Sequence, residues 1–562
     1  MRYACFTLAL IVSVILFSGE SLQGQDPDDA LKRGPSVIPE AYDRSSLSWV
    51  LVYSRGDSQL SRIRKHFSDI DHSDKFFLNP LENEVLEMRR GRTRGSNMIS
   101  VEDIQNNLEE LNVSRQIISH WYSRTDDGLM DMERIHQRGL ENATDADVMR
   151  QQSTTRGNWA LMDYGNRLID KSYIVVLDFY SVDRVNTDNY EGYRAQIAAS
   201  LFRVNLSEED KERIYDAWVL EEDPEEEKQK KRELFETINP PLKYVTTINT
   251  TASSYNYKEH TVLGRITPTK STDELFADLV QSGYDDVLFE LEREYDDFNV
   301  ITPLYSTRPL GAKIGKREGL KVDQRFFVYE HRYDPATQTI KEVRRGVIRA
   351  TSDITDNRGV ASGETKPSKF YQVAGRRLHE GYVIQQSNDY GIGIHFGYDF
   401  GGEIGGGSVG LDYAIGRSVG IRAFYVTANL GINSKKYPEF SPDDPGDQEY
   451  LFDGNVAFLR WDIGLSKGMH FLRNFELRPY LTYGQEQASN DVLDEDITAH
   501  FLKAGANLAL NITYNFQIVA GYNFYAMIGN AYQDEDALDY KYNEIFDSRE
   551  GGAQFVGLRF KF

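Results

Sequence analysis

Gly551-Gly-Ala-Gln-Phe-Val-Gly-Leu-Arg-Phe-Lys-Phe562 is the stretch that decides how the last third of the chain folds. In an extended segment the side chains alternate, so Val556, Leu558, Phe560 and Phe562 share one face. Phe555, Gly557, Arg559 and Lys561 share the other. An apolar face backed by a charged one suits a strand with hydrocarbon outside and a polar interior within.

The same pattern recurs upstream. From about residue 390 the composition shifts to Gly, Tyr, Phe and alternating apolar residues, and eight candidate strands follow: 390–400, 408–415, 419–431, 456–466, 475–484, 498–510, 516–528 and 551–562. Each is near the roughly nine to eleven residues that a tilted membrane-spanning strand needs. The first would turn Ile392, Ile394, Phe396, Tyr398 and Phe400 to lipid, with Gly393, His395, Gly397 and Asp399 inward. The fourth sets Leu459, Trp461, Ile463 and Leu465 against Arg460, Asp462 and Gly464. The fifth sets Leu477 and Leu481 against Glu476, Arg478 and Tyr480, and Lys503, Asn507 and Asn523 turn inward from the sixth and seventh. In the third, Arg422 shares a face with Phe424 and Val426, which snorkelling at a membrane edge would accommodate.

The predicted connections alternate in length. Those around 416–418, 467–474 and 511–515 are short, whereas 433–455, 485–497 and 529–550 are long. Long loops facing outside and short turns facing the periplasm is the barrel rule, and an even strand number returns both chain ends to the periplasmic side. A water-soluble eight-stranded barrel would reverse the sorting, with apolar residues inside. An eight-stranded interior is only wide enough for side chains. Asp399, Asp412, Arg460, Asp462, Glu476, Arg478, Lys503 and Arg559 would therefore pair there, since buried charges need partners, and the lumen is expected to be plugged.

At 562 residues, several domains are expected. Met1 and Arg2 precede an apolar run at 4–17 and a polar stretch with Gly19, Ser21 and Gly24, which reads as a signal peptide cut between Ser21 and Gln25, although no Ala-x-Ala site is present. No later stretch has the roughly 18 uncharged apolar residues of a spanning helix, which leaves a closed barrel as the way across a membrane. The only cysteine, Cys5, lies in that signal, so no disulfide or thiol ligand is expected. A net charge of −23 disfavours nucleic acid as a partner.

Between signal and barrel, 26–40 reads as a polar tether and 46–55 as a buried strand, followed by a basic loop at 89–96. Ser100 opens a helix with an apolar stripe of Ile104, Leu108, Leu111, Ile118 and Trp121. A helix at 159–170 feeds a strand at 172–179 whose continuous apolar core implies burial on both faces. Further expectations are a strand at 195–204, a helix capped by Ser207, a solvated charged run at 221–236 and extended segments at 242–248 and 262–266. Ser271-x-x-Glu274 is a capping box for a helix to about Tyr295. From Ile301 to Val383 the period becomes two, with short strands at 325–330, 344–351 and 369–374 and a hairpin signal at Asp334-Pro335.

Three resemblances accompany these residues. The terminal strand ending on Phe562 resembles the recognition signal that closes bacterial outer-membrane proteins. Gly311-Ala-Lys-Ile-Gly-Lys-Arg-Glu-Gly-Leu320, Phe326-Phe-Val-Tyr329, Gly346-Val-Ile-Arg349, Val360-Ala361 and Gly381-Tyr-Val383 resemble the small β domain that ends flagellar assembly protein T. Arg156-Gly-Asn-Trp-Ala-Leu-Met-Asp-Tyr-Gly165, Leu168-Ile-Asp-Lys-Ser-Tyr-Ile-Val-Val176 and Ala312–Leu320 are similar to an uncharacterised family of exported proteins of Bacteroidota, which are Gram-negative; that resemblance implies no known activity.

Chemistry-bearing clusters are few. His66, Asp69, Asp71, His72 and Asp74 match no zinc spacing and read as solvated loop residues. Gly401–Gly410 lacks the Lys-Ser/Thr of a phosphate loop and reads as a turn, and Arg55-Gly56-Asp57 is too short to carry meaning. His395, Asp399 and Asp412 have no nucleophile motif beside them, and a lumen ion network accounts for them. Acidic groups crowd the long loops: Asp443, Asp444, Asp447 and Glu449, then Asp491, Asp494, Glu495 and Asp496, then Asp534, Glu535, Asp536 and Asp539. Such oxygen clusters can hold Ca²⁺ or Mg²⁺, or be plain solvation.

The expected organisation is a signal peptide at 1–24, a periplasmic α/β region at 25–300, a small β module at 301–385 and an eight-stranded antiparallel transmembrane β-barrel at 386–562. The expected function is that of a non-enzymatic outer-membrane protein, bound to lipid by its barrel, whose periplasmic α+β part contacts envelope or assembly proteins. The alternative is a surface receptor or adhesin working through the acidic extracellular loops. No catalytic residue, metal site or cofactor is expected.

Overall fold

The computed structural model describes residues 44–55, 57–89, 98–131, 134, 169–258, 261–262, 265–266, 269–334, 339–358, 360, 365–401, 404–437, 454–489, 496–533, 536–537, 541–546 and 549–562. The expected signal peptide, most of the 159–170 helix and nearly all the acidic loop residues lie outside these. The chain divides between Asn299 and Val300 into two compact units.

The first unit is a three-layer α/β/α fold. Its sheet contains β1 (Ser46–Tyr53), two short strands parallel to it, β2 (Phe77–Leu78) and β3 (Val85–Glu87), and the long strands β4 (Ser172–Asn186), β5 (Tyr190–Val204) and β6 (Leu242–Tyr257). β1 and β4 run parallel, and β4, β5 and β6 are successively antiparallel. Both faces are covered, as the unbroken apolar runs of β1 and β4 require. Leu47, Trp49, Leu51, Val175 and Leu177 pack under α1 (Ser58–Phe67) and a long helix at Thr272–Glu294. Val50, Val52, Ile174 and Val176 pack against α2 (Val101–Glu110), α3 (Val113–Trp121), α4 (Glu208–Asp216) and α5 (Glu225–Glu236).

The Ser271–Glu274 capping box forms as expected, and the Thr272–Glu294 helix, α6, buries Leu275, Leu279, Val287, Leu288 and Leu291. The helix expected after Ser100 is instead two. Asn112 adopts φ 52°, a left-handed conformation that asparagine tolerates, and breaks the run. The break re-aims the second half so that Val113, Ile117, Ile118 and Trp121 all reach the core.

The second unit opens with a seven-stranded antiparallel sheet. It comprises β7 (Ile301–Pro303), β8 (Ser306–Thr307), β9 (Leu310–Ala312), β10 (Arg325–Asp334), β11 (Thr339–Ala350), β12 (Ser368–Gly375) and β13 (Val383–Gln386), in the order β8-β9-β12-β11-β10-β13-β7. Its core is Ile314, Phe326, Val328, Ile348, Phe370 and Ile384. The hairpin at Asp334 is present, with Asp334 opposite Thr339.

The barrel follows directly. Its strands are β14 (Ile392–Phe400), β15 (Gly406–Ala414), β16 (Phe424–Tyr437), β17 (Gly454–Lys467), β18 (Phe475–Ser489), β19 (Ile497–Asn511), β20 (Phe516–Gln533) and β21 (Gly551–Lys561). Each pairs antiparallel with the next, and β21 closes on β14 with Arg559 opposite His395 and Leu558 opposite Phe396. The third strand begins later than its sequence implies. A helical turn at Gly416–Val419, Gly420 at φ 71° and Ala423 at φ 48° come first, so Arg422 sits in a turn rather than facing lipid. The strands also run farther into the expected long loops. Glu486, which reads as loop, continues the inward face of Glu476, Arg478 and Thr482.

Where α6 crosses the sheet, Gly283 leaves no room for a side chain: an added Cβ would lie 2.5 Å from the Ile197 Cδ1 atom and 3.4 Å from the Phe179 ring. Gly283→Val should lift α6 and destabilise this unit by about 1–3 kcal/mol, the usual range for overpacking. Tryptophan fluorescence during denaturation checks it, since Trp461 is the only one of the five tryptophans in the barrel.

Candidate functional site: a filled lumen clamped at one end

Barrel side chains sort by face. Phe396, Leu411, Trp461, Ile463, Leu481, Phe524 and Val556 are exposed on the outside, whereas Asp399, Asp412, Arg460, Asp462, Glu476, Arg478, Lys503 and Arg559 are buried inside. That is the reverse of a water-soluble barrel. A belt of large apolar side chains around an ionic interior is stable only where the surroundings are hydrocarbon. The chain carries a β-barrel of the outer-membrane type. Among the described residues no helix is long and apolar enough to cross a membrane.

The interior is a stack of charge-paired layers. Near the short turns, Arg478 donates through Nη1 to Asp412 Oδ2 at 2.7 Å and through Nη2 to Glu476 Oε1 at 2.6 Å, with its guanidinium 4.1 Å from the Tyr425 ring centre. Arg559 Nε lies 3.0 Å from the same Asp412 oxygen. Lys561 Nζ and Gln517 Nε2 each donate to Glu476 Oε2 at 2.9 Å, and Thr427 donates to Asp412 Oδ1 at 2.7 Å. In the middle layer His395 Nε2 meets Asn429 Oδ1 at 2.8 Å, Asn429 donates to Asp462 at 2.6 Å, and Lys503 Nζ stands 3.6 Å from Asp462. Asp399 accepts from Asn523 at 2.6 Å and from the Tyr525 hydroxyl at 3.1 Å.

At the long-loop end, Arg549 donates through Nε to Glu486 Oε1 at 2.8 Å and through Nη2 to Glu486 Oε2 at 2.5 Å, with Arg460 also 3.5 Å away. Above this pair the inner wall turns apolar. Val456, Phe458, Ile497 and Ala531 enclose Tyr542, Ile545 and Phe546 from the helical turn Tyr542–Ile545 and the residue after it. The gap left beside His395 and Lys503 is about 20 Å³, which admits nothing larger than water.

The expected lumen set is thus brought together. The sequence reading missed Glu486 and Arg549, and only Glu486 carried a signal, the continued alternation of its strand.

The sheet grips the short-turn end. Asp389, in the link between β13 and β14, accepts ion pairs from Arg349 and Arg417, and Arg325 Nη1 stands 3.7 Å away. Arg417 also donates to the Asp389 carbonyl at 3.0 Å. Asp323 accepts from Tyr371 at 2.7 Å and from the Ala423 amide. Gly416 lets this turn approach, since an added Cβ would lie 2.4 Å from Asp323 Oδ2. The third turn joins through Tyr514, whose ring centre is 5.1 Å from that of Phe327 and 4.5 Å from the Arg344 guanidinium. Burial alone would raise the Asp389 carboxyl, but Arg349, Arg417 and Arg325 outweigh it and hold it well below the usual carboxylate range. Burial brings the Arg325 guanidinium down to about 10.

The other clusters do not assemble. His66 is not a loop residue: it lies in the last turn of α1, buried, with Nε2 3.2 Å from Asp273 Oδ1. The ring of His72 packs edge-on against Tyr284 at 5.2 Å, and burial lowers its pKa. Asp57 caps α1 by accepting from the amides of Gln59 and Leu60. Gly406–Gly410, from the glycine-rich stretch, forms the start of β15 rather than a turn. Among the described residues no group of three or more His, Cys, Asp or Glu is placed to hold a metal ion.

No protein-family model and no curated protein matches the chain. Solved structures similar to it include a major outer membrane protein of Thermus thermophilus, at 15% identity over 30% of this chain and 98% of that one, with a TM-score of 0.22. The Yersinia pestis outer membrane protein Ail in nanodiscs is 16% identical over 30% of this chain and 98% of its own, with a TM-score of 0.18. Neisserial surface protein A is 12% identical over 30% and 94%, with a TM-score of 0.19. At scores this low the likenesses decide nothing by themselves; the barrel's own sorting of its side chains does.

Two substitutions separate lumen from clamp. Arg478→Met takes from Asp412 and Glu476 the cation they share and leaves them Arg559 and Lys561, so it should cost about 3 kcal/mol, the low end for a broken buried pair, read as a lower unfolding temperature in detergent. Asp389→Asn leaves three guanidinium groups without their carboxylate. It should loosen the sheet by about 3 kcal/mol, the low end for a broken buried pair because Arg417 is partly exposed. Hydrogen exchange should then quicken in β10–β13 and not in the barrel. The folded Asp389 is depressed, so its contribution is complete above its unfolded value of about 3.9 and is lost as pH falls through the folded value. Wild-type exchange in β10–β13 should therefore be unaffected by the clamp from neutral pH down to about pH 4 and quicken only below that.

Proposed function

We propose that this is a non-enzymatic outer-membrane protein whose barrel is an anchor and whose α/β unit works in the periplasm, contacting other envelope or assembly proteins. The observation that carries the reading is the filled lumen. Layered ion pairs occupy the interior, Tyr542, Ile545 and Phe546 fill one mouth and the sheet is clamped to the other end, so the described residues leave no route for a solute. His395, Asp399 and Asp412, the groups a hydrolase would use, are engaged in that packing.

Orientation follows from the strand count. β14 and β21 begin and end at the short-turn end, with the Phe562 amide donating to the Ile392 carbonyl at 2.8 Å. Short turns face the periplasm in bacterial barrels, so everything before residue 391 enters from that side. The likeness of residues 311–383 to the domain ending flagellar assembly protein T agrees with a protein-contact role, by analogy of fold. The similarity to exported Bacteroidota proteins agrees with the same placement. A receptor or adhesin working through the long loops is the competing reading.

Glu209→Cys, on the exposed side of α4, tests placement and role together in a mature chain with no other cysteine. A membrane-impermeant maleimide should label it only after the outer membrane is opened. Cross-linking from this cysteine should capture the same envelope proteins when the segments expected as long loops are shortened by deletion within 438–453, 490–495 and 538–540. Labelling on intact cells, or capture that disappears with the loops, would favour the receptor.

A further inference from the structure

We propose that the short-turn rim of the barrel binds the anionic phosphate headgroups of lipids in the leaflet it faces. The proposal rests on the reading of the barrel as membrane-spanning. In a chain of net charge −23, this rim gathers cations. Arg422 lies in the turn before β16, Lys467 at the end of β17, Arg473 in the turn before β18, and Arg376 and Arg377 directly after β12.

Named contacts hold these segments together. The Gly375 amide donates to Asn474 Oδ1 at 2.6 Å, setting Arg376 beside the turn that carries Arg473. The Arg422 guanidinium stands 5.7 Å from the Tyr371 ring centre of β12, and Lys467 donates to the Arg422 carbonyl. None of the four arginines is ion-paired among the described residues. The nearby carboxylate of Asp323 is taken up by Tyr371 and Ala423, and Glu380 is the acid that follows in sequence.

The same turns expose apolar side chains that water does not favour. Ile421, Phe471 and Ile512 are exposed, and Leu472 is 76% exposed. Leu472 and Arg473 both have left-handed backbones, φ 45° and 68°, where Gly or Asn is the usual choice. A large apolar residue and a cation stand there despite local strain, side chains outward. These tips continue the apolar belt of the barrel into a basic fringe. Apolar anchors with a cationic edge match the acyl and phosphate layers of a lipid leaflet.

The experiment uses the full chain folded into vesicles of phosphatidylethanolamine with a minority of phosphatidylglycerol, followed by native mass spectrometry of the lipids retained. Phosphatidylglycerol should be enriched over its bulk share. Arg422→Gln with Arg473→Gln should reduce the enrichment by roughly fivefold per cation removed, and Arg376→Gln with Arg377→Gln likewise. Lys435→Gln with Lys436→Gln, at the opposite end of β16, should leave it unchanged. No enrichment, or equal loss in the control pair, overturns the proposal while leaving the membrane reading intact. A chain that does not insert at all, judged by heat-modifiable gel mobility, overturns both.

Discussion

Arg478 between Asp412 and Glu476 is the interaction on which the barrel depends. A cylinder whose outside is hydrocarbon must turn its polar side chains inward, and eight strands leave little room there for water to solvate them. An unpaired ion in that space costs several kcal/mol, more than most single contacts return. The sequence meets this by matching acids and bases from different strands at one depth: Asp412 from β15 and Glu476 from β18 with Arg478 of β18 and Arg559 of β21. Because the Asp412 pairs join different strands, the pairing specifies register and closure as well as charge balance. The terminal strand brings Arg559 and Lys561 together, so the network is incomplete until the barrel shuts.

Both ends answer the same constraint differently. At the long-loop end a backbone segment folds inward, its apolar residues covering the Arg549–Glu486 pair and excluding water from it. At the short-turn end the covering element is a folded sheet. Three arginines, two from the sheet and one from the turn beneath it, share one carboxylate, Asp389, on the link into the first barrel strand. A carboxylate so placed pulls sheet, link and turn onto one point, which suits a connection meant to hold rather than to hinge.

The barrel was legible in the sequence because lipid-facing strands are the simplest of amphipathic patterns. Alternation assigned Trp461 outward and Arg460 inward, and capping residues placed α4 and α6. Other features left no mark. Arg422 shares a face with Phe424 on paper, but Gly420 and Ala423 turn the backbone before the strand begins. Asn112 breaks what reads as one helix, its apolar stripe interrupted only at Arg115. His66 among its carboxylates resembles a loop cluster, yet it is a buried residue in the last turn of a helix.

Sequence alone determined what depends on the period of neighbouring residues: two-residue alternation, strand number, the alternation of long and short connections, and the face taken by the charges within the strands. Those are local properties, set by the direction of successive Cβ atoms. Only the tertiary structure decided which charges meet. Asp389 finds Arg325, Arg349 and Arg417, and Glu486 finds Arg549, across tens of residues with no pattern to announce them. Coulomb attraction in a water-poor interior acts on distance in space, and chain separation carries almost no information about it.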